Sequence, residues 1–157
     1  MSSLILSSQY GILMYARLSK KAHRIFAIAT VMVRQEKTIL FLEDEQQLLS
    51  TVGNLLLEQG YNVVRVENAE EALRSIQSSA PDLILADIKL PGMDGFDFFK
   101  EVRKLSSLDN VPVVFLTAFN DVGAMMYAKK VGVSEYITKP FDFEYLVARI
   151  RDLVPPQ

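Results

Sequence analysis

Between Thr38 and Leu153, short apolar runs alternate with segments whose apolar residues recur every three or four positions, and the alternation repeats five times. "TILFL" reads as a strand, and Leu48, Leu49, Val52, Leu55 and Leu56 then keep helical spacing until Gly60, a natural C′ stop. "NVVRV" is a second strand. Asn68 with Glu71 three residues later makes a capping-box-like start for a helix whose apolar face is Ala69, Ala72, Leu73 and Ile76, closed by Pro81. "DLILA" is a third strand, followed by the loop "DIKLPGMDG" and a helix with Phe98, Val102 and Leu105 on one face. "VPVVFLTA" supplies strand four, with Pro112 near its start, where a missing ladder donor is tolerated. Ala124, Tyr127, Ala128 and Val131 stripe a fourth helix. "EYIT" is a short fifth strand, after which "KPF" turns into a last helix with Phe143, Leu146, Val147 and Ile150 inward. Strands alternating with helices predict an α/β fold: one parallel sheet, right-handed crossovers and helices on both faces.

The residues before this pattern are of a different kind. Residues 1–35 contain Arg17, Lys20, Lys21, Arg24 and Arg34 and no acid, whereas the other 122 residues hold 12 bases and all 19 acids. The expected organisation is a basic extension over 1–35, one domain over 36–154 and a short tail at 155–157. The extension contains at most the nine-residue apolar stretch Ile25–Val33, well short of the ~18 residues a membrane-crossing helix needs. It has a signal-peptide outline without a convincing cleavage site, and its composition also resembles a transit peptide or a surface-seeking helix. Met32, just before the first strand, is an alternative start that would make the segment irrelevant. An acidic body without a basic aromatic patch argues against nucleic acid as a direct partner. The chain has no cysteine, which removes disulfides and thiolate sites and suits a reducing compartment, here the cytoplasm; its one histidine, His23, cannot build a His-rich metal site.

In an open parallel sheet, chemistry gathers outside the carboxyl ends of the strands. Glu43 and Asp44 follow strand one, Asp87 follows strand three, Thr117 ends strand four and Lys139 follows strand five. Three carboxylates meeting at one edge repel unless something neutralises them. Hard oxygen ligands without His or Cys point to Mg²⁺ rather than zinc, in a site that handles phosphate. A carboxylate can itself be the nucleophile and form an aspartyl phosphate, with Lys139 and Thr117 placed to offset charge on the phosphoryl oxygens.

The motifs "LEDE", "PDLILADIKLPGMDG", "VPVVFLTA" and "EYITKPF" together resemble those of response-regulator receiver domains of two-component signalling, over about Glu36 to Leu153. The resemblance implies a flavodoxin-like doubly wound five-stranded sheet of order 2-1-3-4-5. It implies Asp87 as phosphoacceptor, and Mg²⁺ held by Asp44, Glu43, Asp87 and the backbone carbonyl of Lys89. Thr117 and Lys139 would contact the phosphoryl oxygens, Lys139–Pro140 would be cis, and Lys89 and Phe119 would set the lifetime of the acyl phosphate, with Phe119 slowing self-dephosphorylation. Thr117 and Tyr136 would form a switch that reshapes the face of helix four, strand five and helix five, where Met125 and Met126 lie.

The implied activity is acceptance of a phosphoryl group from a sensor histidine kinase or histidine phosphotransfer protein. It is not an enzyme apart from self-phosphorylation and self-dephosphorylation. Only Pro155, Pro156 and Gln157 follow the last helix, so the expectation is a stand-alone receiver acting on a separate protein target. Two alternatives stand beside it. A Mg-dependent aspartyl-nucleophile phosphohydrolase would want an acid two residues past Asp87, where Lys89 stands; the other is a receiver-like interaction module that is not phosphorylated.

Overall fold

The structure, a computed structural model, describes residues 36–118 and 122–157 except the side chains of Val122, Ala124 and Tyr127; the readings made for residues 1–35, for Phe119 and for those three side chains lie outside the described residues. Five strands and five helices alternate: β1 Thr38–Leu42, α1 Gln46–Glu58, β2 Asn62–Val66, α2 Ala69–Ser78, β3 Leu83–Asp87, α3 Gly95–Val102, β4 Val113–Ala118, α4 Val122–Val131, β5 Glu135–Lys139 and α5 Phe143–Leu153. The strands form one parallel sheet of order β2-β1-β3-β4-β5, the flavodoxin-like doubly wound arrangement.

Strand alternation sorts the core into two layers. Leu40 and Leu42 of β1, Ile84 and Ala86 of β3 and Phe115 of β4 face α2, α3 and Ala128 of α4. Ile39, Phe41, Leu83, Leu85, Val114, Leu116 and Ile137 face α1 and α5. β3, in the middle, is buried at every residue, as a strand covered on both faces must be. Within the second layer, the buried Tyr61 hydroxyl donates to the carbonyl of Val154 at 2.7 Å, joining the start of β2 to the end of α5.

The local signals act as read, with instructive differences. Gly60 takes φ +88° past the end of α1, a conformation that suits glycine. Asn68 caps α2 by accepting from the N–H of Glu71 at 2.9 Å, while the Glu71 carboxylate reaches back to the N–H of Glu67 rather than to that of Asn68, at 3.4 Å. The third helix is shorter than its apolar spacing suggests. It ends at Val102, and Leu105 lies in a turn leading to a 3-10 segment, Ser106–Leu108. The Arg103 guanidinium fixes that turn by donating to the carbonyls of Leu108 and Val111, and Leu105 still packs on the core from outside the helix.

Phe143, expected inward, is 42% exposed. It is the first residue of α5 and rests edge-on against Phe141. Asp87 and Lys139 close strands β3 and β5 instead of following them, and Pro112 lies just ahead of β4, its carbonyl accepting from the N–H of Ile84. The Lys139–Pro140 bond is cis. No helix among the described residues is long and apolar enough to cross a membrane.

Candidate functional site

Parallel strands all deliver their carboxyl ends to one edge of the sheet, and register decides how close those ends come. Leu42 pairs with Ala86, Asp87 with Leu116, and Thr117 with Thr138. Glu43 and Asp44 therefore leave β1 beside Asp87, and Lys139 ends β5 one residue beyond Thr138. Carboxylate oxygens of Glu43, Asp44 and Asp87 all lie within 4.8 Å of one another. Glu43 is 1% exposed and Asp87 6%, whereas Asp44 stands in solvent. The chain turns between the two neighbours, so one acid goes inward and the next outward.

The ammonium of Lys139 bridges the two buried acids. Its Nζ donates to Asp87 Oδ2 at 2.6 Å and to Glu43 Oε2 at 2.7 Å. The other oxygens are held by backbone: Asp87 Oδ1 accepts from the N–H of Lys89 at 3.0 Å, and Glu43 Oε1 accepts a longer bond from the N–H of Glu45 at 3.4 Å. Burial raises the Glu43 carboxyl above the usual carboxylate range, and the charge on Asp87 adds to this; the hydrogen bond from Lys139 opposes the rise without cancelling it. Burial alone would lower Lys139, but its hydrogen bonds to Asp87 and Glu43, with their charges, hold it above the ordinary lysine value. An ammonium shared by two buried carboxylates is costly to remove, because either acid left alone would be an uncompensated buried charge.

Thr117 is fully buried, and its Oγ1 has no hydrogen-bond partner among the described residues. A lone buried hydroxyl costs about 1–3 kcal/mol, so this one calls for an explanation. Tyr136, the in-register partner of Phe115, is half-buried against the core layer that contains Phe115. Lys89 is exposed. The structure thus brings Glu43, Asp44, Asp87 and Lys139 into one cluster, with the Lys89 N–H in direct contact and Thr117 at the same strand edge; Tyr136 lies deeper along β5. The Lys139–Glu43 bond and the Lys89 N–H bond had no signal in the sequence.

The donor set is all oxygen. Three carboxylates against one ammonium leave two negative charges, the complement of a divalent cation. Hard oxygen donors, two of them buried, fit magnesium, and no thiol or imidazole stands with them among the described residues.

A family model described as "Response regulator receiver domain" matches residues 39–151. The chain belongs to the response regulator receiver family. Among curated proteins, this receiver is 34% identical over 116 residues to the sensory transduction protein BceR of Halalkalibacterium halodurans, a match covering 74% of this chain and 49% of that protein. The chain thus spans about half the length of the curated relatives it matches. Among solved structures, a putative response regulator from Chloroflexus aurantiacus superposes with a TM-score of 0.72 at 32% identity, covering 76% of this chain and 98% of that one. The receiver domain of a sensor histidine kinase from Pseudomonas aeruginosa matches with a TM-score of 0.69 at 29% identity, covering 74% of this chain and 96% of that one. That structure has a magnesium ion coordinated in its active-site cleft.

Proposed function

We propose that this receiver accepts a phosphoryl group on Asp87 from a phosphohistidine of a sensor kinase or phosphotransfer protein, and signals through a changed protein-binding surface. The observation that supports this best is the state of the Asp87 carboxylate: 6% exposed, one oxygen fixed by the Lys89 N–H and the other by Lys139. Such a carboxylate is oriented for attack rather than solvated at random. Glu43, Asp44 and Asp87, with the backbone carbonyl of Lys89, would hold Mg²⁺. When bound, that ion offsets the charge that the carboxylates and the phosphoryl oxygens bring together.

In the transfer, an oxygen of Asp87 forms a bond to phosphorus while the bond from phosphorus to the donor's imidazole nitrogen breaks, and the nitrogen leaves with that electron pair. Lys139 stays beside the acceptor and stabilises the developing charge. The Thr117 hydroxyl donates to a phosphoryl oxygen, having no partner among the described residues. Its displacement toward the phosphoryl group opens room on the Tyr136 side of the sheet, the bistable element of the switch. The output face would be α4, β5 and α5, where Met125, Met126 and Tyr145 are exposed. Self-hydrolysis of the acyl phosphate resets the protein, so the only chemistry is performed on Asp87 itself.

The test is an intact-mass measurement after incubation with phosphoramidate, a small phosphorus–nitrogen donor, with Mg²⁺ or with a chelator. One added phosphoryl group is expected with the metal and none with the chelator. Steady release of phosphate from added monoesters, with no mass gain, would favour the phosphohydrolase instead.

A further inference from the structure

We propose that this chain pairs with a second copy of itself along the flank of α5 that borders α1, the two copies being related by a two-fold axis. The pairing does not depend on the chemistry of Asp87.

The two flanks of α5 differ in character. On one, Arg149 is held by Glu135 of β5 and by Asp152, so its charge is met within the chain. The other flank borders a groove of about 330 Å³ between α5 and α1. Leu55, Phe143, Val147 and Ala148 give this groove its apolar lining, and Glu144 and Arg151 its charges, with Arg151 also donating to Gln59 at the end of α1. Phe143 is the misfit of the helix. Its type suits a core, yet it stays 42% exposed at one end of this groove, with the ring of Phe141 edge-on beside it. A large aromatic left open beside an apolar groove belongs to a surface that a partner covers.

The order of residues along α5 says which partner. Glu144, Val147, Ala148 and Arg151 stand at i, i+3, i+4 and i+7, one stripe of the helix, and both charged ends are exposed. The stripe is complementary to itself. A two-fold rotation about an axis passing between Val147 and Ala148 lays Glu144 on Arg151, Arg151 on Glu144, and Val147 on Ala148, as an isologous interface requires. The small side chain of Ala148, next to the axis, lets the two helices approach. The reversed helix also carries the partner subunit's Phe143 toward the Arg151 end of the groove, beside Leu55 and Gln59, so that pairing covers the exposed ring. Ion pairs at the edge of such a surface fix its register more than its strength. A helix of 11 residues is about 16 Å long, which makes a small interface and a weak, concentration-dependent dimer.

The experiment is analytical ultracentrifugation of the full chain without phosphodonor, at concentrations up to about 1 mM. The mean mass of the wild type is expected to climb from one chain toward two. Glu144→Arg and Arg151→Glu each set like charges together at both ends of the stripe, and each is expected to weaken dimerisation about tenfold. Mixing the two variants restores opposite charges at both ends, and the mixture is expected to dimerise at least as tightly as the wild type. A wild type that stays monomeric throughout would leave the groove to a helix of another protein and overturn the proposal. A dimer indifferent to both substitutions, or one that mixing does not recover, would overturn it as well. Should Arg151→Glu not fold, Glu144→Arg and Phe143→Ser decide: each is expected to weaken the dimer about tenfold, and no change in either contradicts the pairing. None of these outcomes bears on phosphorylation of Asp87, which the mass measurement above tests separately.

Discussion

Gly95 abuts the backbone of Asp87: a Cβ built on this first residue of α3 would stand 2.5 Å from the Asp87 carbonyl oxygen and 2.8 Å from the Cα of Ile88. The N–H of Gly95 closes the contact by donating to the carbonyl of Ile88 at 2.9 Å. The loop "DIKLPGMDG" thus folds back onto the strand end that bears the acceptor, and glycine is what lets the two backbones approach. Both atoms in the way are main chain, so no side chain can yield.

Gly95→Ala is accordingly expected to destabilise the protein by about 1–3 kcal/mol, the range for overpacking at a tight site. It should also slow phosphorylation by phosphoramidate, because the added methyl pushes on the residue that must hold its geometry. Urea denaturation and a time course of mass gain check both effects. A variant with wild-type stability and rate would show that the contact is slack.

Thr117 permits a sharper separation of stability from function. Its hydroxyl is fully buried without a described partner, so replacing it by the nearly isosteric valine removes an unmet polar group. Thr117→Val is expected to leave the resting protein as stable as the wild type, or more so by about 1 kcal/mol, while slowing phosphoryl transfer and weakening the switch. Loss of stability on this substitution would mean that the hydroxyl is already satisfied.

Away from the site, Asp82 gives the fold a pH dependence. Burial alone would raise its carboxyl, but the N–H of Thr38 at 2.8 Å and the ammonium of Lys37 at 3.0 Å outweigh that and hold it below the usual aspartate value. A folded-state value depressed below the unfolded one adds stability above the unfolded value, near 3.9, and loses it as pH falls through the folded value. The side chain is 36% exposed, so screening limits the effect to about 0.5–1 kcal/mol. Asp82→Asn should be less stable than the wild type by that amount at pH 7, and the two should converge in strong acid. Thermal melts from pH 7 down to pH 2 would show it; a gap that widens on acidification would refute the assignment.

Much of the fold was legible because it is local. The cap at Asn68 and the stop at Gly60 are properties of a few consecutive residues, and the strands are short runs between such signals. Strand order was a different matter: periodicity yields a parallel sheet, whereas the order 2-1-3-4-5 entered through the resemblance of the motifs. The errors fall where burial depends on something distant. Leu105 keeps the apolar spacing of α3 but lies past a turn pinned by Arg103, and Phe143 has the right residue type at the first position of α5 yet stays 42% exposed.

At the site, the residue types and strand ends indicated who would meet. They did not indicate that Glu43 would be buried and its neighbour Asp44 exposed, nor that Lys139, 96 residues from Glu43, would end within hydrogen-bond reach of it. Where a long flexible side chain finishes is decided by tertiary packing, which no pattern along the chain encodes.

Under the proposed function, phosphate becomes covalently attached at the buried, oriented carboxylate of Asp87. After exposure to phosphoramidate and Mg²⁺, borohydride reduction converts an aspartyl phosphate to homoserine, which peptide mapping locates in the chain. Homoserine is expected at position 87 and nowhere else, with none in Asp87→Asn. Homoserine at another aspartate, or none at all in a protein that has bound Mg²⁺, would contradict it.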